Sequence, residues 1–417
     1  MSQQINFRFL RLALGGAALL GGFTLWHANG VGAAAGPIEP LHGSFRVLAP
    51  IESGNLLLFP IVQSGKSLTT PFLTLDEGIK NGQVEVTEAG KVRGLVRPRP
   101  AQGRIDDGVL RPAPNPEPPQ YRGDQVNTLV LVNNSDKPLL LLAGEIVTGG
   151  KQDRVIGKDR IVPAGSDPID LGVFCIEPGR WTEDTANFRA SAKSSTQSMM
   201  VQPTVRAKAM VAKDQQEVWN SVHGTIAAAL AAPAPASSGI AVGGPRIVSP
   251  DPGSLGTTSY ARAMQSASVS EKMDEAAAPL MKSREQVLEK LREEHAVGVV
   301  VAVRGEIVWA DIFSDPDLLS RYWTKLVRSY AAESLLGGEA RQAPTVSDAQ
   351  RFLDAPSGGT ETSIGDVGIY RYKELRSSGT ETFVLESLLS GADYDVHVSK
   401  VKLRGEVRRV NSPVVMR

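Results

Sequence analysis

One cysteine, Cys175, among 417 residues excludes a disulfide within the chain, so a packed core must hold the fold together. Its setting, Gly172-Val173-Phe174-Cys175-Ile176, is that of a buried apolar strand rather than of a nucleophile. Histidine is scarce as well. The five stand far apart with no second ligand at metal spacing, and no Gly-x-Ser-x-Gly elbow accompanies them. No metal and no cofactor are expected. Net charge is also lacking, because 45 basic residues balance 45 acidic ones. Nucleic acid is bound chiefly by counterion release against a basic surface, so a nucleic-acid partner is not expected either.

Long apolar runs are missing too. The longest, residues 12–26, falls short of the ~20 residues that span a bilayer and is rich in glycine. With Arg8 and Arg11 before it and Ala33-Ala34-Ala35 after it, the segment 1–35 has the three parts of a secretory signal peptide. The chain is expected to be exported, periplasmic or secreted, with no stable membrane span once the signal is cleaved. An uncleaved anchor is the alternative.

Behind the signal, residues 36–202 form a β-rich first half. Short apolar runs such as Leu56 through Val62 and Val84-Glu85-Val86-Thr87 read as strands, with a short helix starting at Thr74. Residues 97–123 are proline-rich and are expected to be an irregular loop. Residues 127–132 and 139–142 are apolar on both faces, as covered strands should be, and Asn133 through Pro138 turns between them. Residues 203–296 hold a helix over 204–222, a low-complexity insertion over 227–259, and an amphipathic helix over 285–295. Residues 297–417 begin with a hairpin turning at Arg304-Gly305. A helix follows, capped by Asp315 with Pro316 in its first turn and apolar residues at three- and four-residue spacing; short strands complete the chain. The expected fold is α+β, a mainly antiparallel β-sheet with two or three packed helices.

The segment richest in chemistry starts at Gly144-Glu145 and runs to Gly149-Gly150-Lys151-Gln152-Asp153-Arg154. It imitates a phosphate-cradling loop, but an extra glycine precedes the lysine and Gln152 takes the place of the hydroxyl residue that would hold magnesium. A second charged cluster, Glu177-Pro178-Gly179-Arg180-Trp181, ends the strand 169–176. Adjacent strands would bring the two clusters to one sheet edge. Two accounts stay open. In one, Glu145 or Glu177 pairs internally with Arg154 or Arg180. In the other, Lys151, Gln152, Arg154, Arg180 and Trp181 bind a small anionic ligand, with Glu145 or Glu177 as candidate catalytic base.

These clusters, with Val162-Pro163-Ala164-Gly165-Ser166, the Ala296-Val297-Gly298 hairpin strand, Asp311-Ile312-Phe313 and the helix around Leu326-Val327-Arg328-Ser329-Tyr330, carry a resemblance. They resemble the ARG-and-rhodanese-phosphatase-associated domains, a family of unknown function, and Asp153 stands where that pattern leads one to expect Asn. The family's association with ADP-ribosylglycohydrolase and phosphatase domains implies at most a link to ADP-ribose or phosphorylated ligands. Two functions follow as expectations: a non-enzymatic ligand-binding or interaction domain outside the cytoplasm, or a hydrolase of a phosphorylated or ADP-ribosyl substrate. The signal itself is directly testable. N-terminal sequencing of exported material should find a start near Gly36, and a start at Met1 in the membrane fraction would mean an anchor instead.

Overall fold

Strands β1 (Ser44–Val47), β2 (Ile51–Ser53) and β3 (Leu56–Ser64) open the fold. A two-residue strand β4 (Leu73–Thr74) leads into helix α1 (Leu75–Lys80), where Thr74 and Glu77 close a capping box, and then into β5 (Val84–Glu88). A hairpin follows, β6 (Gly103–Asp106) with β7 (Val109–Pro112), inside the stretch expected to be irregular. The next strands are β8 (Thr128–Asn133), β9 (Leu139–Leu141), β10 (Ile146–Gly150), β11 (Arg154–Ile156), β12 (Arg160–Val162), β13 (Ile169–Cys175) and β14 (Thr185–Ala190). Helices α2 (Pro203–Ala207), α3 (Gln215–Ala231), α4 (Tyr260–Met264), α5 (Ala267–Lys282) and α6 (Arg284–Glu293) form the middle of the chain. Strands β15 (Ala296–Val303) and β16 (Glu306–Phe313) precede helices α7 (Pro316–Ser334) and α8 (Val346–Asp354). The last strands are β17 (Thr360–Asp366), β18 (Tyr370–Ser377), β19 (Thr380–Ser387) and β20 (Tyr394–Lys402). The computed structural model describes residues 44–64, 70–91, 103–106, 109–112, 127–179, 185–190, 199–232, 256–282, 284–358, 360–389 and 393–403.

These strands build two main bodies of sheet. A nine-stranded sheet runs β1-β3-β15-β16-β20-β19-β18-β17, with β2 also on β3. A second sheet closes into a barrel, β10-β11-β13-β8-β5-β14. Its interior is packed by Val84, Val86, Leu129, Leu131, Val147, Ile156, Leu171, Val173 and Phe188, so it is a core and not a ligand cavity. The strands pair antiparallel except at β4–β9. The α+β expectation therefore holds, but two or three helices is an undercount, since eight α-helices lie among the described residues. The missed ones are mostly short or rich in alanine, and α5 even contains Pro279, so periodicity hides them.

Other boundaries moved as well. The helix expected over 204–222 is three pieces: α2, a π-helical turn Lys208–Ala212, and α3, with Lys213 in the left-handed region (φ 53°) between them. Alanines 227–229 and 231 continue α3 instead of starting an irregular insertion; residues 233–255 of that stretch lie outside the described residues, as does the signal 1–35. The Asn133 turn forms, with its side-chain oxygen accepting from Ser135 N–H at 3.1 Å. It does not close a hairpin, because β8 belongs to the barrel and β9 pairs with β12 and β4.

Local signals worked best at the β15–β16 hairpin. Arg304 (φ 50°) and Gly305 (φ 77°) both take the left-handed conformation that a tight two-residue turn requires. Helix α7 starts as expected, with Asp315 accepting from Leu318 N–H at 2.9 Å and Pro316 in the first turn. It packs on β15 and β16, with α5 and α6 also against it. Trp323 is 1% exposed in that core. Trp323→Ala should cost about 3–5 kcal/mol in a denaturant melt, and a loss below ~1 kcal/mol would contradict this packing.

Candidate functional site

The glycine loop at the end of β10 wraps around carboxylates of the protein itself. Gly149 N–H donates to Asp153 Oδ1 at 3.1 Å, and Lys151 N–H donates to Glu88 Oε1 at 2.8 Å. Asp153 N–H in turn donates to Glu177 Oε2 at 3.1 Å, and Gln152 Nε2 donates to the Glu177 carbonyl at 3.2 Å. The two clusters do meet, as strand adjacency suggested. Gly150 (φ 52°) cannot be replaced without conflict, because a Cβ there would lie 2.2 Å from the Phe188 ring that plugs the barrel. Asp153 uses both oxygens as acceptors, the second from Ser259 Oγ at 2.9 Å, a pairing open to a carboxylate without any amide donor.

Gln152, Asp153, Arg154 and Glu177 are all buried here, Arg154 completely, while Lys151 is half-buried at the rim. Gln152 Oε1 is buried and accepts no hydrogen bond. Arg180 and Trp181 lie outside the described residues.

Glu145 is elsewhere, and the charged side chain bonded to it is a lysine. Its Oε1 accepts from Lys325 Nζ at 2.5 Å and its Oε2 from Leu142 N–H at 2.7 Å. Lys325 also pairs with Asp76. Burial pushes the Glu145 carboxyl up against the pull of Lys325, and Asp76 adds to the rise. Lys325 is one of a row of polar residues on α7 whose partners lie between Leu140 and Thr204. Tyr322 Oη donates to the Leu140 carbonyl at 3.1 Å, Ser329 Oγ to the Val201 carbonyl at 2.8 Å, and Glu333 accepts from Thr204 N–H at 3.0 Å.

The densest polar group was not among the candidate site residues, although Asp311 and Tyr330 belong to the segments that carry the family resemblance. Asp311 on β16 accepts from Arg206 at 2.9 Å, from Tyr330 Oη at 2.5 Å and from Ser399 Oγ at 2.9 Å. His397 Nε2 lies 3.2 Å from the same carboxylate, and His397 Nδ1 lies 2.6 Å from Asp159 Oδ2. Asp159 also accepts from Ala143 N–H at 2.7 Å. Burial alone would raise Asp311, but Arg206 and His397 hold it far below the usual carboxylate range. Burial alone would lower His397, but Asp159 and Asp311 hold it above its ordinary value. Gly144 (φ 94°) makes room for this network, because a Cβ there would lie 2.9 Å from the Arg206 side chain. The other sequence hint was a lone ionisable residue inside an apolar strand: Asp311 between Trp309 and Phe313, His397 between Val396 and Val398.

Ser399, His397 and the two aspartates do not form a nucleophilic triad, since Ser399 donates to Asp311 and no member is exposed. Among the described residues no group of three or more His, Cys, Asp or Glu is placed to hold a metal ion. Nor is any described helix long and apolar enough to cross a membrane. Two open cavities, of about 360 and 270 Å³, flank the Arg304-Gly305 turn, and none of the candidate residues lines them.

Residues 44–401 match the ARG and Rhodanese-Phosphatase-superfamily-associated Protein domain. The chain belongs to this family. The match takes in β17 to β20 as well as the glycine loop, so His397 and Ser399 lie inside the family domain. No curated protein and no solved structure matches the chain.

The family domain of this chain should show a distinctive pH response. A histidine whose pKa is raised on folding contributes stability that is complete below about 6.5 and is lost as pH climbs through the folded value. Its facing charges are Asp159, Asp311 and Arg206. Urea melts from neutral to alkaline pH should therefore show stability falling, and His397→Gln should be less stable at neutral pH with that slope flattened. An unchanged slope in the variant would remove His397 as its source.

Proposed function

We propose that this chain is an exported, non-enzymatic binding or interaction domain. One observation carries that choice over a hydrolase: the amide donors of the loop that imitates a phosphate cradle are already bonded to Glu88 and Asp153. A substrate phosphate would have to displace two carboxylates from a region where unpaired charge is costly. The two candidate bases are similarly engaged. Glu145 is bonded to Lys325 and to a backbone amide, and Glu177 to Asp153 N–H. A general base must reach a substrate proton at hydrogen-bond distance, and both side chains are nearly inaccessible. The loop then works as an internal latch closing the barrel rim, with Arg154 beneath it, and function resides on the outer surface. Export rests on the signal pattern of residues 1–35.

The ligand-binding form of this proposal has its own support in the unpartnered Gln152 Oε1, which could take a donor from a small molecule anchored by Lys151 and Arg154. A single set of thermal melts separates latch from ligand site. As a latch, Arg154→Ala removes a fully buried charged side chain from beneath the loop and should cost about 3–5 kcal/mol, with phosphate or ADP-ribose leaving the parent unmoved. As a ligand site, the variant should stay within ~1 kcal/mol of the parent, and one of those ligands should raise the parent's melting temperature by mass action. Turnover of a phosphorylated or ADP-ribosyl substrate that Glu145→Gln or Glu177→Gln abolishes would overturn the non-enzymatic choice.

A further inference from the structure

The nine-stranded sheet has two ends, and they are finished differently. At β1, Gln350 of α8 stands in for a missing neighbour strand: its Oε1 accepts from Val47 N–H at 2.8 Å and its Nε2 donates to the Phe45 carbonyl at 3.2 Å. At β17 nothing equivalent is found among the described residues. Residues 361–365 are exposed on successive positions, hence on both faces. The strand is regular, paired with β18 without a break from Thr360↔Arg376 to Asp366↔Tyr370.

Exposed sheet edges are ordinarily blunted by charged side chains, above all lysine, and by proline or a bulge, because their free backbone groups recruit other strands. The sequence of β17, Thr-Glu-Thr-Ser-Ile-Gly-Asp, has no lysine, proline or bulge, and its only charges are Glu361 and Asp366 near its two ends. Apolar surface collects at the same corner. Of the exposed large hydrophobic residues Val346, Ile364, Val367 and Leu389, the last three belong to β17, to the turn after it, or to the end of β19 two strands away.

We infer that β17 is a self-association edge, pairing antiparallel with β17 of a second copy of this chain about a two-fold axis at Ser363. Charge selects both the occupant and the register. With Ser363 on the axis, Thr360 faces the partner's Asp366, Glu361 faces the partner's Gly365, and Thr362 faces the partner's Ile364. No like charges are opposed. Gly365 pairs with Arg371 on its other side, so Glu361 of one copy looks across a residue without a side chain toward an arginine of the next. The Arg371 side chain is 43% exposed and pairs with Glu386 Oε2 at 2.8 Å through Nη1, so Glu361 of the second copy would join an existing ion pair from its open side. Sliding the axis to Ile364 would put Glu361 opposite Val367 and forfeit that pairing. The two nine-stranded sheets would become one continuous sheet across the axis. An edge of seven residues forms a small interface, which places the dimer in the weak, reversible class.

A residue on a two-fold axis meets its own copy, and that gives a direct test on the full chain. Cβ atoms of directly opposed residues lie about 4.5–5.5 Å apart, within reach of a disulfide after small adjustment. Ser363→Cys should give a disulfide dimer under mild oxidation, whereas Glu361→Cys, off the axis, should not. The native Cys175 is buried and leaves the background clean. In sedimentation equilibrium the parent should move reversibly toward twice its mass with concentration, and Ser363→Lys, which brings two ammonium groups together, should shift that transition several-fold upward. A parent that stays monomeric to about 1 mM, or cross-linking at Glu361→Cys in place of Ser363→Cys, would overturn the proposal. So would a dimer indifferent to Ser363→Lys.

Discussion

A carboxylate sealed in apolar surroundings has to be matched by donors and by positive charge, and in this protein that carboxylate is Asp311. Its donors come from three separate elements: Arg206 from α2, Tyr330 from α7, and Ser399 with His397 from β20. Through His397 the chain of contacts reaches Asp159, which belongs to the loop leaving β11 of the barrel. Barrel, helices and nine-stranded sheet are thus held in register around one charge. The formal charges of Asp159, Asp311, Arg206 and protonated His397 cancel, which lets the group stay dry. Such networks specify an arrangement more than they stabilise it, because an interior built of apolar groups would do as well energetically but would leave the layers free to slide.

How much of this was legible in the sequence depended on the range of the interaction. The turn at Arg304-Gly305 and the Asp315 cap use neighbours a few residues apart, and both were found. The glycine loop was singled out correctly as unusual, and strand adjacency rightly brought Gln152 and Asp153 to Glu177. The partner of Glu145 was not legible, since Lys325 lies 180 residues away on a helix whose periodicity advertises only its apolar side. Asp159, Arg206, Asp311 and His397 escaped for the same reason. They lie far apart in the sequence with no shared local pattern, and only the fold reveals that they converge. The helices missed in the middle of the chain lost to composition, because alanine and an internal proline mask the 3.6-residue pattern.

The glycine loop illustrates how a familiar outline can be used without its usual occupant. Glycines that free backbone amides for an anion are present, and so is the lysine beside them. The anions are Glu88 and Asp153, supplied by the chain. What would be recognition in a nucleotide-binding protein is here internal satisfaction of polar groups, the same chemistry closed on itself.

The pairing of β3 with β15 has a consequence in time. Leu56 faces Val303 and Val62 faces Ala296, so the nine-stranded sheet joins residues separated by more than half of the chain. Closing so long a loop carries an entropic cost that no local contact offsets, and folds dominated by such pairings form slowly. During synthesis from the N-terminus, β3 has no partner on that side until about residue 303 has emerged, and its apolar face stays unshielded meanwhile. The protein is therefore built to finish folding late, with nearly all of its length available, and a truncated chain ending before β15 would present that strand to any neighbour able to pair with it.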